Sequence, residues 1–282
     1  MELGTVGVWW SGSWKSAKAP GGVAGALEDL GYGALWSSGG YDPGLSPRFA
    51  RLLAASRRVV VASGIVSIWA ATPEEIGAAV GELETAQPGR FLLGLGASHA
   101  QLVGDYSHPY GHMVEYLDAL DRLDAPVLPT RRVLAALGPR MLELAASRAA
   151  GAHPYFVPVE HTAHARQVMG RGPLLAPEVT AVLEPDRRKA LEQARAFTAG
   201  YLALPNYANN LRSCGFSDDE LSGSGSDRLV DAVVAHGDAE QVAARVREHL
   251  EAGADHVAVQ MLTTGEGFPL DEYRELASVL LP

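Results

Sequence analysis

The chain has 282 residues, a length that a single (β/α)8 barrel fills and that buries enough surface to need neither disulfide nor structural metal. Its 33 acidic against 23 basic side chains leave a formal charge of -10. The arginines are scattered, which excludes the basic stripes of nucleic-acid and anionic-membrane binders. Cys214 is the only cysteine, so neither an intramolecular disulfide nor a thiolate metal cluster can form. No run approaches the roughly 18 apolar residues of a spanning helix. The opening Met1-Glu2-Leu3-Gly4 lacks the charged-then-apolar order of a signal peptide. A soluble, cytoplasmic protein of one domain is expected.

In chain order, β-branched runs alternate with helical ones, as in a parallel sheet. Thr5 to Trp9 reads as the first strand, followed by a helix through Leu27 and Leu30. Gly33 to Ser37 is the second strand, with a helix from about Pro47 to Ser56. Arg58 to Ser67 is the third, a continuous apolar run suited to burial on both faces. Thr72-Pro73-Glu74-Glu75 then opens a helix, with threonine as N-cap, proline at N1 and acids in the first turn. The fourth strand is Phe91 to Leu95, with a helix from about Tyr110 to Leu123, and the fifth is Arg132 to Leu137, with a helix from Pro139 to Ala149. Ala152 to Phe156 is the sixth, with a helix from Val159 to Met169. Leu174 to Leu183 is the seventh and His256 to Leu262 the eighth, preceded by a helix over Ala239 to Ala252. Eight strands favour a closed α/β barrel over an open doubly wound sheet. Residues from about 185 to 236 interrupt the alternation with one long helix, LPNYANNL and a Ser/Gly-rich turn. In a barrel they read as an insertion on the C-terminal face, where active sites lie.

Candidate chemistry gathers at the strand ends. Trp9, Trp10, Trp14, Trp36 and Trp69 all fall at or past the ends of the first three strands. They read either as core or as the wall of a pocket for a flat ring. At Leu137-Gly138-Pro139-Arg140 a strand turns into a helix whose free amides attract an anion, with Arg140 as a bidentate clamp. Gly94-Leu95-Gly96-Ala97-Ser98-His99 ends the fourth strand: the glycines admit a cofactor to the backbone, and Ser98 and His99 enter the mouth. His108 with His112, and His161 with His164 on an expected solvated helix face, lack the acid or thiolate company of a zinc site. Three asparagines and Tyr207 in the insertion offer neutral donors and acceptors, with Asn206 and Tyr207 facing a ligand, or else they cap helices.

The segments GYGALWSSGG, RRVVVASGIVSIWAATPEE, PGRFLLGLGASH, RVLAALGPRMLELAASRAAGAHPY and HVAVQML, in that order, resemble the luciferase-like superfamily over essentially the whole chain. They are most similar to its actinobacterial branch dependent on coenzyme F-420, the 8-hydroxy-5-deazaflavin. The resemblance implies a non-prolyl cis peptide at Gly64-Ile65 that backs the cofactor ring. It implies a ring border at Gly96, Ala97, Ser98 and His99, a phosphate at Leu137, Gly138 and Pro139, and a homodimer formed through helices near the second and third strands. Relatives that act on sugar phosphates or alcohols carry an Asp-His pair at the end of the second strand. Here that place reads Ser38-Gly39-Gly40, so their acid/base is absent.

The expected protein is therefore a single (β/α)8 barrel over residues 1–282 that uses deazaflavin to transfer hydride to or from a small organic substrate, reducing an activated C=C or C=N bond. His99 is the expected proton donor, with Tyr106 or Tyr155 in its place otherwise. Ser38, Gly64, Ile65, Gly96, Ala97, Ser98, Leu137, Gly138, Pro139 and Arg140 are expected at the cofactor. Trp9, Trp36, Trp69, Asn206 and Tyr207 are expected at the substrate. The alternatives are an FMN-dependent monooxygenase and a non-catalytic flavin-binding protein.

Overall fold

The computed structural model describes residues 1–10, 22–39, 45–101, 103, 106–265 and 267–281. Trp14 and Gly40, which the sequence reading singles out, lie outside the described residues. The strands are β1 (Val6–Trp10), β2 (Ala34–Ser37), β3 (Val60–Ser63), β4 (Val66–Ser67), β5 (Phe91–Gly96), β6 (Arg132–Leu134), β7 (Gly151–Ala152), β8 (Leu174–Leu175), β9 (Glu178–Leu183), β10 (Val234–Gly237) and β11 (Val257–Met261). The helices are α1 (Val23–Asp29), α2 (Leu45–Ala54), α3 (Pro73–Ala86), α4 (Pro109–Arg122), α5 (Pro139–Arg148) and α6 (Val159–Met169). After them come α7 (Arg187–Leu202), α8 (Pro205–Ser213), α9 (Asp218–Leu221), α10 (Asp227–Val233), α11 (Ala239–Glu251) and α12 (Leu270–Leu280). Among the described residues no helix is long and apolar enough to cross a membrane.

All strand pairs are parallel, and β1 lies between β2 and β11, with Trp9 opposite Trp36 and Val8 opposite Val259. The predicted third strand is broken in two at Gly64-Ile65, where the peptide is cis. The predicted seventh strand is broken at Ala176-Pro177, because proline has no N–H for the ladder. That broken stave closes the barrel. Ala176 N–H donates to the Ala152 carbonyl on one side, and Ala258 N–H donates to the Pro177 carbonyl on the other. Its outer half leaves β7 and takes β10 as neighbour, Val234 lying opposite Thr180. The fifth and sixth strands are shorter than their sequences predict. Beyond β7, Phe156 adopts a φ of 56° and its amide donates to the buried Glu178 carboxyl.

The alternation of side chains builds two cores. Outward-facing Val8, Leu35, Val61, Leu93 and Leu95 join the layer beneath the helices. Inward-facing Trp9, Ala34, Trp36, Val60, Ala62 and Leu92 fill the barrel. Small residues are needed around Trp36, and at Gly7 even a Cβ would come within 2.7 Å of the His256 ring. Thr72 forms the expected capping box with Glu75, a contact worth about 1 kcal/mol. The stretch LPNYANNL, poor in helix formers, is nonetheless the helix α8. Its Tyr207 and Leu211 pack with Phe156 and Leu229 in a third apolar cluster, so tertiary burial overrides asparagine's low propensity.

Candidate functional site

At the C-terminal ends of the staves lies a cavity of about 860 Å³, within the usual range for a cofactor site. Fourteen of the sixteen residues expected at the cofactor, at the substrate or as proton donor line it, namely Trp9, Ser38, Gly64, Ile65, Gly96, Ala97, Ser98, His99, Leu137, Gly138, Pro139, Arg140, Asn206 and Tyr207, as do the alternative donors Tyr106 and Tyr155. Two do not. Trp36 is fully buried beneath it, stacked on the His153 ring at 4.2 Å, with its indole N–H donating to His256. Trp69 stands behind the wall, stacked on His112 at 4.1 Å, and its indole N–H donates to the Ala97 carbonyl at 2.7 Å. Trp10 packs edge-on against Phe268. Of the described tryptophans only Trp9 lines the cavity.

The wall at the end of β5 is shaped by its neighbours. A Cβ on Gly94 would lie 1.9 Å from the Ser63 carbonyl oxygen, and one on Gly96 would lie 2.7 Å from the Ile65 side chain. These glycines are therefore dictated first by the close approach of β3 and β4, not by a ligand. Ser98 takes a φ of 59°, and its carbonyl accepts from Tyr106 Oη at 3.1 Å and Asn206 Nδ2 at 3.4 Å. Asn206 Nδ2 also donates to His99 Nδ1 at 3.4 Å, so the neutral His99 ring carries its proton on Nε2. Burial lowers the pKa of His99. The tyrosines held in reserve as proton donors are otherwise engaged: Tyr106 by Ser98, and Tyr155 by the Gln260 side chain and Tyr201, each at 2.9 Å.

At the rim, Gly138 is the N-cap of α5, with Pro139 at N1. A Cβ on Gly138 would meet nothing within 4 Å, so the backbone at the start of α5 borders open space, and Pro139 has no N–H to satisfy there. Arg140 lies over the Tyr110 ring, its guanidinium carbon 4.1 Å from the ring centroid. The turn is held from behind by His161, which is buried and donates from Nε2 to the Leu137 carbonyl at 2.9 Å, contrary to the solvated face expected for it. His164 is exposed. On the opposite side Ser38 lends its carbonyl to Arg48.

The sequence reading passed over His153. It stands just past β7 and lines the cavity, and the strand-end rule that singled out His99 applies to it equally. Burial pulls its pKa down to about 4, so its ring is neutral. Glu178, below Tyr155, is raised by burial to about 8 and stays protonated at neutral pH.

A parallel (β/α)8 barrel with one large cavity at its C-terminal mouth and an anion-ready helix N-terminus on the rim defines a small-molecule enzyme scaffold. The sequence matches the luciferase-like monooxygenase family over residues 10–256, and the chain belongs to that family. Its fold is shared with an F-420-dependent secondary alcohol dehydrogenase solved with an F-420–acetone adduct (TM-score 0.77, 16% identity, 100% of both chains). It is also shared with the coenzyme F-420-dependent tetrahydromethanopterin reductase of Methanopyrus kandleri (TM-score 0.69, 15% identity, 98% of this chain and 97% of that one). A third likeness is the FMN-bound oxygenating constituent of 3,6-diketocamphane monooxygenase from Pseudomonas putida (TM-score 0.66, 14% identity, 100% of this chain and 97% of that one). No curated protein matches the sequence.

Proposed function

We propose that the cavity binds the deazaflavin coenzyme F-420 and that the protein transfers hydride between it and a small organic substrate, reducing an activated C=C or C=N bond. The observation that carries this reading is the joining, in one cavity, of two sites of different character. One is an apolar wall formed by Gly64, Ile65, Gly96 and Ala97; the other is the rim at the start of α5, with Gly138 and Arg140. A flat ring fits the first, and a phosphate fits the second. The F-420 chemistry named for two structural neighbours supports the same reading.

When bound, a deazaflavin supplies a ring carbon that carries hydride. The protein's own tasks are orientation and one proton. Backbone amides at Gly138 and its neighbours hold the phosphate. Ser38, Gly64, Ile65, Gly96, Ala97 and Ser98 border the ring, and Trp9, Asn206 and Tyr207 shape the space left for substrate. His99 acts as the imidazolium: its Nδ1–H is then held by the Asn206 amide oxygen, turned towards it, and Nε2–H delivers the proton to the atom that does not receive hydride, leaving the neutral ring.

The family description and the FMN-bound neighbour favour a second reading, an FMN-dependent monooxygenase. Titration of the purified protein with oxidised F-420, FMN and FAD separates the two. Tightest binding of F-420 is expected. Preference for FMN, with oxygen consumption by the reduced complex, would replace the first reading by the second.

A further inference from the structure

A column of aromatic rings rises through the barrel to the cavity floor. At its base His256 Nδ1–H donates to the Gly4 carbonyl at 2.8 Å, and His256 Nε2 accepts from the Trp36 indole at 3.0 Å. Trp36 stacks on His153, whose Nδ1 lies 2.6 Å from the Ala176 carbonyl. A carbonyl can only accept, so Nδ1 carries the proton, and in the neutral ring Nε2 is a bare lone pair. Every polar atom of the column is thus matched until its top. There His153 Nε2 and the neighbouring Trp9 Nε1–H are both buried and have no partner among the described residues. His153 is 1% exposed and Trp9 5%.

These two atoms flank one point. A Cβ on Gly64 would stand 2.3 Å from Trp9 Nε1 and 3.2 Å from His153 Nε2, so any side chain at this position would crowd both atoms. All three residues line the cavity. Buried polar groups without partners cost about 1–3 kcal/mol each, so an unmatched donor beside an unmatched acceptor marks a place shaped for a ligand. The chemistry of that ligand follows by elimination. A carbonyl or an anion satisfies Trp9 and leaves the His153 lone pair unmatched, a cation does the reverse, and a methyl group satisfies neither. A single hydroxyl accepts from Trp9 and donates to His153.

We propose that Trp9 Nε1–H and His153 Nε2 form a hydroxyl-binding subsite on the cavity floor. The inference rests on the cavity being the cofactor and substrate site. The hydroxyl has two possible sources, the deazaflavin's 8-hydroxyl and a hydroxyl of the substrate.

The test is a set of binding titrations on wild type, Trp9→Phe and His153→Phe, with thermal melts to confirm folding. Trp9→Phe keeps an aromatic ring and removes the donor; His153→Phe keeps an aromatic ring to stack on Trp36 and removes the acceptor. The first pair of probes is 8-hydroxy-5-deazaflavin and 7,8-dimethyl-5-deazaflavin. The second, added to the deazaflavin-loaded protein and read by cofactor fluorescence, is propan-2-ol and 2-methoxypropane. In each variant one hydroxyl-bearing probe should bind about tenfold more weakly while its hydroxyl-free counterpart stays within about twofold. Which pair responds identifies the source. Folded variants that bind all four probes like wild type overturn the proposal, and so do equal losses within both pairs, since the two rings then only shape the floor. Wild-type protein that binds neither deazaflavin nor FMN removes the cofactor reading and this subsite with it. Tight wild-type binding that ignores both substitutions removes the subsite alone.

Discussion

His161, in the first turn of α6, donates from Nε2 to the carbonyl of Leu137, immediately before the N-cap of α5, across 2.9 Å. His161 is itself buried, and its bond fixes the turn that lines the cavity. His161 is therefore a positioning residue. His161→Leu should cost about 1–3 kcal/mol of stability for the unmatched carbonyl and weaken F-420 binding several-fold. His161→Gln, which restores a donor, should recover most of the affinity. Failure of glutamine to rescue, with leucine binding normally, would reduce His161 to a core residue.

Gly138 separates binding from folding. Because a Cβ there meets nothing within 4 Å, Gly138→Leu should fold with nearly unchanged melting temperature. The new side chain would occupy the place of the phosphate and lower cofactor affinity tenfold or more, at least about 1.4 kcal/mol. Unchanged affinity in a folded variant would locate the phosphate elsewhere.

His99→Ala should lower kcat by about 100-fold or more while the F-420 dissociation constant moves less than about fivefold, the range general acid catalysis supplies. Burial lowers the pKa of His99 from its ordinary 6.5. An acid must be protonated to act, so its limb of the pH–rate profile for reduction should fall as pH rises, with a midpoint below 6.5. Loss of that limb in the alanine variant is the signature. A profile that keeps it assigns the proton to another group.

Glu28 gives the fold a pH dependence away from the site. Burial would raise its carboxyl, but the backbone N–H groups of Arg58, Arg57 and Val59 pull it down to about 2 from its ordinary 4.5. A depressed carboxylate stabilises the fold above about pH 4.5, and that contribution is lost as pH falls toward 2. Urea midpoints should therefore drop over this window in wild type. Glu28→Gln should be less stable at pH 7 and show a shallower drop. Parallel curves for the two proteins would exclude Glu28 as a source.

Elements whose signals are local were legible in the sequence. Thr72-Pro73-Glu74-Glu75 predicts a capped helix because cap, proline and acids act within one turn, and that turn forms as read. Gly138-Pro139 predicts a helix start for the same reason. The Gly64-Ile65 break was legible only through the family resemblance, since nothing in an apolar run of strand residues marks its interruption. Depth inside the barrel was not legible at all. Trp9 and Trp36 sit opposite each other in register and both point inward, yet Trp9 lines the cavity and Trp36 lies wholly beneath it. Strand periodicity tells inside from outside, but height along the axis depends on the tilt and stagger with which the closed barrel sets its staves. The same closure seats His153 on Trp36 beside Gly64, and His161 against Leu137, through contacts between residues that the sequence places far apart.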